Sequence, residues 1–476
     1  MITRTSTTIL TLLLCSLIRI CAQTQVGNSI LGNAQLDGTG DAVSINDAGD
    51  RIIVSADRED AMGLTTAGVV RVYALVGGAW SQLGADLVGE TAGERFGKSV
   101  EMADSGGRVA LGGEAGTRVY DLVGTTWQQV GATIPLPSMG NGEHVQALRF
   151  SNDASILAIG IGNNDGSASV QVFEWNSGSW SQRGSDLPEP FGYDVALSGD
   201  GQRLAVPYGD WPDPVQLIVL DFNGTDWELV GDTIRPLTGY EFTEGFDLSD
   251  DGDRLVGFMI TESTEDGIIS TYDLVGGDWT TTLPPFTSQV DNPQGTSLRM
   301  ADDGNAFVLG TADDGINFDS TYVVMFRSNG SQWSYFGTVF RGVGSDETAQ
   351  GHTGITGDGS RIVWGAKEDA IGSRIGIVQV YDYSTVISVE ETGDAFDLEV
   401  YPNPAHGRMT VVNMEGDLVQ LRLFDAQGCT VLERSAPRGL IALDVAGLSP
   451  GVHMLVGQRK DGTMLRQRLV LQGRMY

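Results

Sequence analysis

Lysine occurs only at 98, 367 and 460 in a chain of 476 residues with 62 Asp and Glu, and the formal net charge is −33. A chain this acidic repels phosphate backbones and anionic headgroups, so nucleic acid is excluded as a natural partner. Histidine is scarce too, at 144, 352, 406 and 453. The last two fall in the C-terminal region, and His144 and His352 are read as fillers of repeat positions. Cysteine occurs at 15, 21 and 429; loss of the first two with a leader leaves no intrachain disulfide, so stability must come from packing. No His-x-x-x-His, Gly-x-Ser-x-Gly or phosphate-loop pattern occurs, and none of the chemistries those spacings serve is expected. No apolar run is long enough to cross about 30 Å of hydrocarbon as a helix, so no transmembrane anchor is expected.

What is present begins with export. Arg4 opens a short positive stretch, Ile9 to Ile18 is an apolar run of signal-peptide length, and Ala22 offers a small residue for cleavage before Gln23. Residues 1–22 are expected to be removed, and with Arg4 and Arg19 gone the net charge becomes −35. Bulky Ile20 before Cys21 argues against lipidation there.

Glycine, at 65 residues, is abundant without a collagen period, which suits many short strands joined by tight turns. Three markers recur about every 50 residues. The first is an Asp-Gly turn before a buried run, beginning at Asp47, Asp104, Asp200, Asp251, Asp303 and Asp358, with a degenerate copy from Asn152. The second is a Trp seven residues after an apolar partner: Tyr73/Trp80, Tyr120/Trp127, Phe173/Trp180, Leu220/Trp227, Tyr272/Trp279 and Phe326/Trp333. Four positions after the Trp stands Gly84, Gly131, Gly184, Gly231 or Gly337, with Leu283 in the fifth copy. The third is an opening segment such as Phe96 to Val100 or Phe191 to Val195. Four strands per unit and seven units predict a β-propeller over residues 23–387. The seventh unit ends at Tyr383 without a Trp strand, while Thr24 to Ile30 looks like a spare one, with Gly27 in the Gly position and Gln23 in that of the Trp. The expectation is an all-β chain: a seven-bladed propeller closed by its N-terminal strand, then a small sandwich.

Trp80 to Glu90 followed by Arg95 to Val100 resembles the FG-GAP family of β-propeller repeats, known from integrin α-subunits and secreted bacterial proteins. That resemblance implies Asp-rich loops that hold calcium in some blades. The matching loops carry Asp57, Glu59 and Asp60, then Asp165, Asp313 with Asp314, and Glu368 with Asp369. None has the alternating acid spacing that gathers five or more oxygens on one ion, so no resident cofactor is expected and calcium is expected to stabilise little. The fourth unit departs most, where Tyr208, Asp210, Trp211 and Asp213 lie in a Pro-rich loop; two aromatic faces and two carboxylates there suit a sugar ring.

After a linker at 388–395, residues 396–476 show about seven short alternating strands, the pattern of a small Ig-like β-sandwich. Tyr401, Pro402, Asn403 and Pro404, followed by a turn ending in Gly451, resemble the type A C-terminal sorting domain of the type IX secretion system. The resemblance implies the type IX secretion machinery as partner, and a secreted protein or one on the outer-membrane surface of a Gram-negative bacterium. The expected function is non-catalytic recognition or adhesion by a monomer, toward an extracellular glycan or protein. A hydrolase or lyase acting on polysaccharide through propeller carboxylates is one alternative; a structural envelope component is another.

Overall fold

Alternating apolar runs between Asp- and Gly-rich turns fold as strands, and the described residues contain no α-helix. The computed structural model describes residues 23–139, 142–163, 167–188, 194–209, 214–260, 266–291, 293–313, 321–336, 340–341, 352–366, 375–384, 400–401, 408–413, 418–424, 430–445, 448, 451–460 and 464–471. The all-β expectation holds. Two compact units separate, one Gln23–Ser384 and one taking in Thr385–Tyr476.

In the first unit, seven antiparallel sheets succeed one another among the described residues. Sheet I comprises Thr39–Ile45, Arg51–Ala56, Val69–Val76 and Ala79–Gln82; sheet II, Ser99–Met102, Arg108–Gly113, Gly116–Val123 and Thr126–Gln129. Sheet III comprises His144–Phe150, Ile156–Gly162, Ala168–Asn176 and Ser179–Gln182; sheet IV, Ala196–Leu197, Arg203–Tyr208, Gln216–Phe222 and Trp227–Leu229. Sheet V comprises Glu241–Leu248, Arg254–Ile260, Asp266–Val275 and Asp278–Thr281; sheet VI, Pro293–Met300, Ala306–Asp313, Thr321–Ser328 and Trp333–Tyr335. Sheet VII comprises His352–Ile355, Arg361–Ala366 and Ile377–Asp382, and its fourth strand is Thr24–Gln25. Thr24 faces Asp382, Gln25 faces Tyr381, and Val26 N donates to Val380 O at 2.8 Å. The opening strands touch in order from I to VII, and that of VII touches that of I. The cycle is closed.

The apolar core lies between sheets. Ile53, Val70 and Val72 pack with Val100, Leu111 and Trp127; Ile30, Val43, Val54 and Trp80 pack with Val363, Val378 and Val380. Two repeated polar contacts tie most sheets to their neighbours; sheet III, with Ile156 at the turn, makes neither among the described residues. The turn arginine reaches forward: Arg51 Nη1 donates to Gly106 O, Arg108 to Ala154 O, Arg203 to Gly252 O, Arg254 to Gly304 O and Arg361 to Gly49 O, all at 2.8–3.1 Å. Sheet VI has no arginine at the turn, and Arg327 from its third strand bonds Gly359 O at 2.9 Å instead.

The Trp strands reach backward. The Nε1 of Trp80 donates to Val26 O, that of Trp127 to Leu83 O, that of Trp227 to Arg183 O and that of Trp279 to Val230 O, at 2.8–3.1 Å. Each acceptor precedes the repeated glycine. A Cβ on Gly84 would stand 2.8 Å from Trp127 Cδ1, and one on Gly27 2.7 Å from Trp80 Cδ1, at φ of +86° and +70°. Space and conformation both bar a side chain there. In the fifth copy Leu283 is buried in that position, and Trp333 Nε1 turns to Thr271 Oγ1 at 2.7 Å. The departure seen in sequence thus has a structural counterpart.

Among the described residues the second unit holds two sheets. Val400–Tyr401, Arg408–Asn413 and Gly439–Asp444 form one; Thr430–Ser435, Leu418–Phe424, Gly451–Arg459 and Met464–Leu471 form the other. Met409, Val411, Ile441 and Leu443 of the first share a core with Leu421, Leu423, Leu455 and Leu469 of the second, so this unit has apolar packing of its own.

Candidate functional site

Register aligns the seven opening strands residue by residue. The residue opposite the third position of each second strand is Ser44, Glu101, Arg149, Ala196, Asp247, Arg299 or Gly354 in sheets I to VII. Four of these are charged and belong to alternate signs, Glu101 and Asp247 against Arg149 and Arg299. Because the opening strands close a cycle, these residues and those two places earlier, among them Ser99, Asp194, Ser297 and His352, come to one region on its inner side. A cavity of about 60 Å³ lies there, walled by residues from six of the seven sheets, including Lys98, Arg149, Arg299 and His352.

Burial sets the electrostatics of this channel. It pulls Lys98 down to about 8, with Arg95 second. It pulls His352 down to about 4, again with a neighbouring cation, Arg299, as the second cause; His352 is a neutral imidazole at neutral pH. Burial also raises the carboxyl of Glu101, against the pull of Arg149 and Arg299. Asp247 is committed to backbone: Oδ1 accepts from Leu248 N at 3.0 Å and Oδ2 from Met300 N at 2.9 Å. The scarce cations of this acidic chain are therefore partly gathered inside it.

Three positions further along, the turn residues form a second, acidic series. Asp47 N donates to Asp104 O, Asn152 N to Gly199 O, Gly199 N to Asp250 O, Asp250 N to Asp302 O and Asp302 N to Gly357 O, while Gly357 N donates to Asp47 Oδ1. Burial, then the like charges of Asp47 and Asp302, pushes Asp104 up to about 7. Between about pH 4, where it ionises in the unfolded chain, and about pH 7, the folded state holds a proton that the unfolded state has lost. Stability from this group therefore falls as pH rises through that window. Asp104→Asn is expected to gain about 2–4 °C in Tm over the parent between pH 5 and pH 8. Thermal denaturation of both proteins at both pH values tests it; the same difference at each pH would count against the acidic series.

The residues singled out by sequence lie elsewhere. Asp57 is fully buried, and its Oδ2 accepts from Arg95 Nε at 3.0 Å and from Arg95 Nη2. Glu59 is gripped by both terminal nitrogens of Arg71 at 2.7 Å, and Asp60 Oδ1 accepts from Thr66 N at 2.7 Å. These three acids serve arginines and a turn, and among the described residues no group of three or more His, Cys, Asp or Glu is placed to hold a metal. Asp313 ends the second strand of sheet VI, opposite Pro293. Asp165, Asp314, Glu368 and Asp369 lie outside the described residues, as do Asp210, Trp211 and Asp213 of the Pro-rich loop. Tyr208 is part-exposed and pairs with Gln216. Ala22, Pro402, Asn403 and Pro404 are also outside; Gln23 begins the described chain, Tyr401 faces Thr410, and Gly451 faces Leu471. His144 fills its place at the head of an opening strand, its ring nitrogens bonded to Gly142 O and Gln146 Oε1. His352 does more than fill its place, since it walls the channel cavity. The channel group was missed because its members are scattered over five repeats; aligning the opening strands position by position is the signal that finds it.

No curated protein matches the chain in sequence. Among solved structures it is similar to hydrazine synthase of Kuenenia stuttgartiensis (TM-score 0.48, 9% identity, 72% of this chain and 95% of that one). It is similar also to the periplasmic gluconolactonase of Pseudomonas aeruginosa (0.45, 13%, 63% and 84%) and to a chain of the mitotic checkpoint complex (0.47, 14%, 75% and 94%). At these identities no activity is carried over from them. Residues 399–472 match the family of the secretion system C-terminal sorting domain, and among the described residues no helix is long and apolar enough to cross a membrane. This part of the chain is a type IX sorting domain, which marks the protein for the cell surface or the extracellular space.

Proposed function

We propose that this protein is a seven-bladed, FG-GAP-like β-propeller, closed by its N-terminal strand, that acts outside the cell as a non-catalytic recognition or adhesion module, carried there by a C-terminal Ig-like sandwich. The reading rests on how the repeated carboxylates are used. Arg108 pairs with Asp121, Arg203 with Asp221, Arg254 with Asp273 and Arg361 with Asp382, at 2.6–3.1 Å, in four of the seven sheets. Asp153, Asp200, Asp251, Asp303 and Asp358 each accept from the backbone N–H two residues on, at 2.8–3.1 Å. Acids used sheet after sheet as turn caps and arginine partners build a scaffold, whereas general acid–base work needs a pair set apart from such duty. Purified protein on an array of glycans and matrix proteins, with and without calcium, is expected to give binding without product. Turnover of a polysaccharide, abolished by one Asp or Glu substitution, would replace this reading with the hydrolase or lyase. An array without any binding would favour the structural envelope component.

A further inference from the structure

Arg149 carries a charge for which its surroundings make poor provision. It is 6% exposed. Its Nη1 donates to Leu148 O at 2.8 Å, but Nε and Nη2 are buried without a hydrogen-bond partner among the described residues. The acid nearest to it, Asp194, stands at 4.0 Å, beyond hydrogen-bond length, and its Oδ1 accepts from Val195 N at 2.9 Å. Of the other acids of the channel, Asp247 is bonded to two backbone N–H groups, and burial favours the protonated form of Glu101. Arg299, from sheet VI, lines the same cavity, and its Nη1 likewise donates to the carbonyl of the residue before it, at 3.1 Å. A guanidinium held out of water with two donors unused is costly, and a second guanidinium on the same cavity adds like-charge repulsion that an anion between them would relieve.

We propose that the axial channel is a binding site for a small oxyanion, a carboxylate or sulfate group, held between Arg149 and Arg299, the two guanidinium groups that line its cavity. The inference rests on the recognition reading above and names the chemical group it takes. Ser297 and Thr353 bring hydroxyls, and His352, neutral at neutral pH, brings an uncharged ring nitrogen. The cavity, at about 60 Å³, exceeds several-fold the roughly 10–15 Å³ that one water needs. It has room for the head of an oxyanion. Selection works by shape and donor direction, since the −33 charge of the whole chain opposes anions at long range until salt screens it.

The test is thermal denaturation of the purified full-length protein at neutral pH and fixed ionic strength, with sodium sulfate, sodium acetate or sodium chloride, and with a glucuronate oligosaccharide as a fourth arm. Sulfate or acetate is expected to raise Tm by about 2–4 °C over chloride, because a ligand that binds only the folded state stabilises it. A further rise with the oligosaccharide would identify the anion as part of a glycan; equal effects would identify a free anion. Arg149→Gln is expected to lose the rise while melting in chloride no lower than the parent, since among the described residues the change gives up one hydrogen bond, to Leu148 O, and a long ion pair at 4.0 Å in exchange for removing a buried charge. Arg299→Gln is expected to weaken the rise. A parent that does not distinguish sulfate or acetate from chloride, or an Arg149→Gln protein that keeps the full rise, would overturn the proposal. So would an Arg149→Gln protein that melts well below the parent in chloride, because Arg149 would then be a structural partner. Array binding with no anion effect would leave the recognition reading standing and remove only the oxyanion site; anion binding with polysaccharide turnover would do the reverse.

Discussion

Cells making a chain that ends at residue 389 are expected to keep it in the periplasm, folded, with the extracellular amount at background. The sorting domain matched over residues 399–472 lies entirely in the deleted part, and its apolar packing, centred on Leu421, Leu423 and Leu455, is its own. Removal therefore takes away an address without opening the cores between the seven sheets. Fractionation, with thermal denaturation of the retained protein, reads both halves of the expectation. Normal appearance outside the cell would sink the sorting role; an unfolded periplasmic product would show that the two units depend on each other.

Deleting Gln23 to Leu31 is expected to damage the whole first unit. The third strand of sheet VII, Ile377–Asp382, would become an open edge, and exposed edges recruit other chains. Trp80 Nε1 would lose Val26 O, a loss of about 1–3 kcal/mol for a buried donor left unpaired. Ile30, buried among Val43, Val378 and Trp80, would take with it about 1.5–3 kcal/mol of apolar burial. Together these reach a large part of an ordinary domain's stability of about 5–15 kcal/mol. A fall in Tm of about 10 °C with loss of solubility is expected. A row of sheets with free ends would merely fray at one end and keep its midpoint.

The strands were legible in the sequence because each is announced locally. Gly49, Gly106, Gly201, Gly252, Gly304 and Gly359 all adopt φ of 64–70° in their turns, and Ala154 of the degenerate third copy takes 53°. The fixed distance from Trp to Gly was legible as well, but its cause was not: Gly84 makes room for Trp127, 43 residues on, and no local pattern states that contact. The calcium candidates show the same limit from the other side. Asp57 and Glu59 read as a loop of oxygens until Arg95 and Arg71, 38 and 12 residues away, are brought to them. The channel cations were the least legible. Arg149, Arg299 and His352 each look like one irregular residue in a repeat, and only closure of the cycle places them around one cavity.

Ring closure by the N-terminal strand is therefore what the channel and the proposed oxyanion site both depend on, and one crosslink tests it. Gln25 faces Tyr381 next to the hydrogen-bonded pair of Val26 and Val380. That makes it a non-hydrogen-bonded pair, whose Cα separation of about 4.5 Å suits a disulfide. With Cys429 changed to Ser, Gln25→Cys combined with Tyr381→Cys is to be oxidised, then run on a non-reducing gel and melted with and without reductant. Closure predicts an intramolecular crosslink in nearly all of the protein and a higher Tm when oxidised. Free thiols, or disulfides only between molecules, would mean that the first strand does not complete the last sheet.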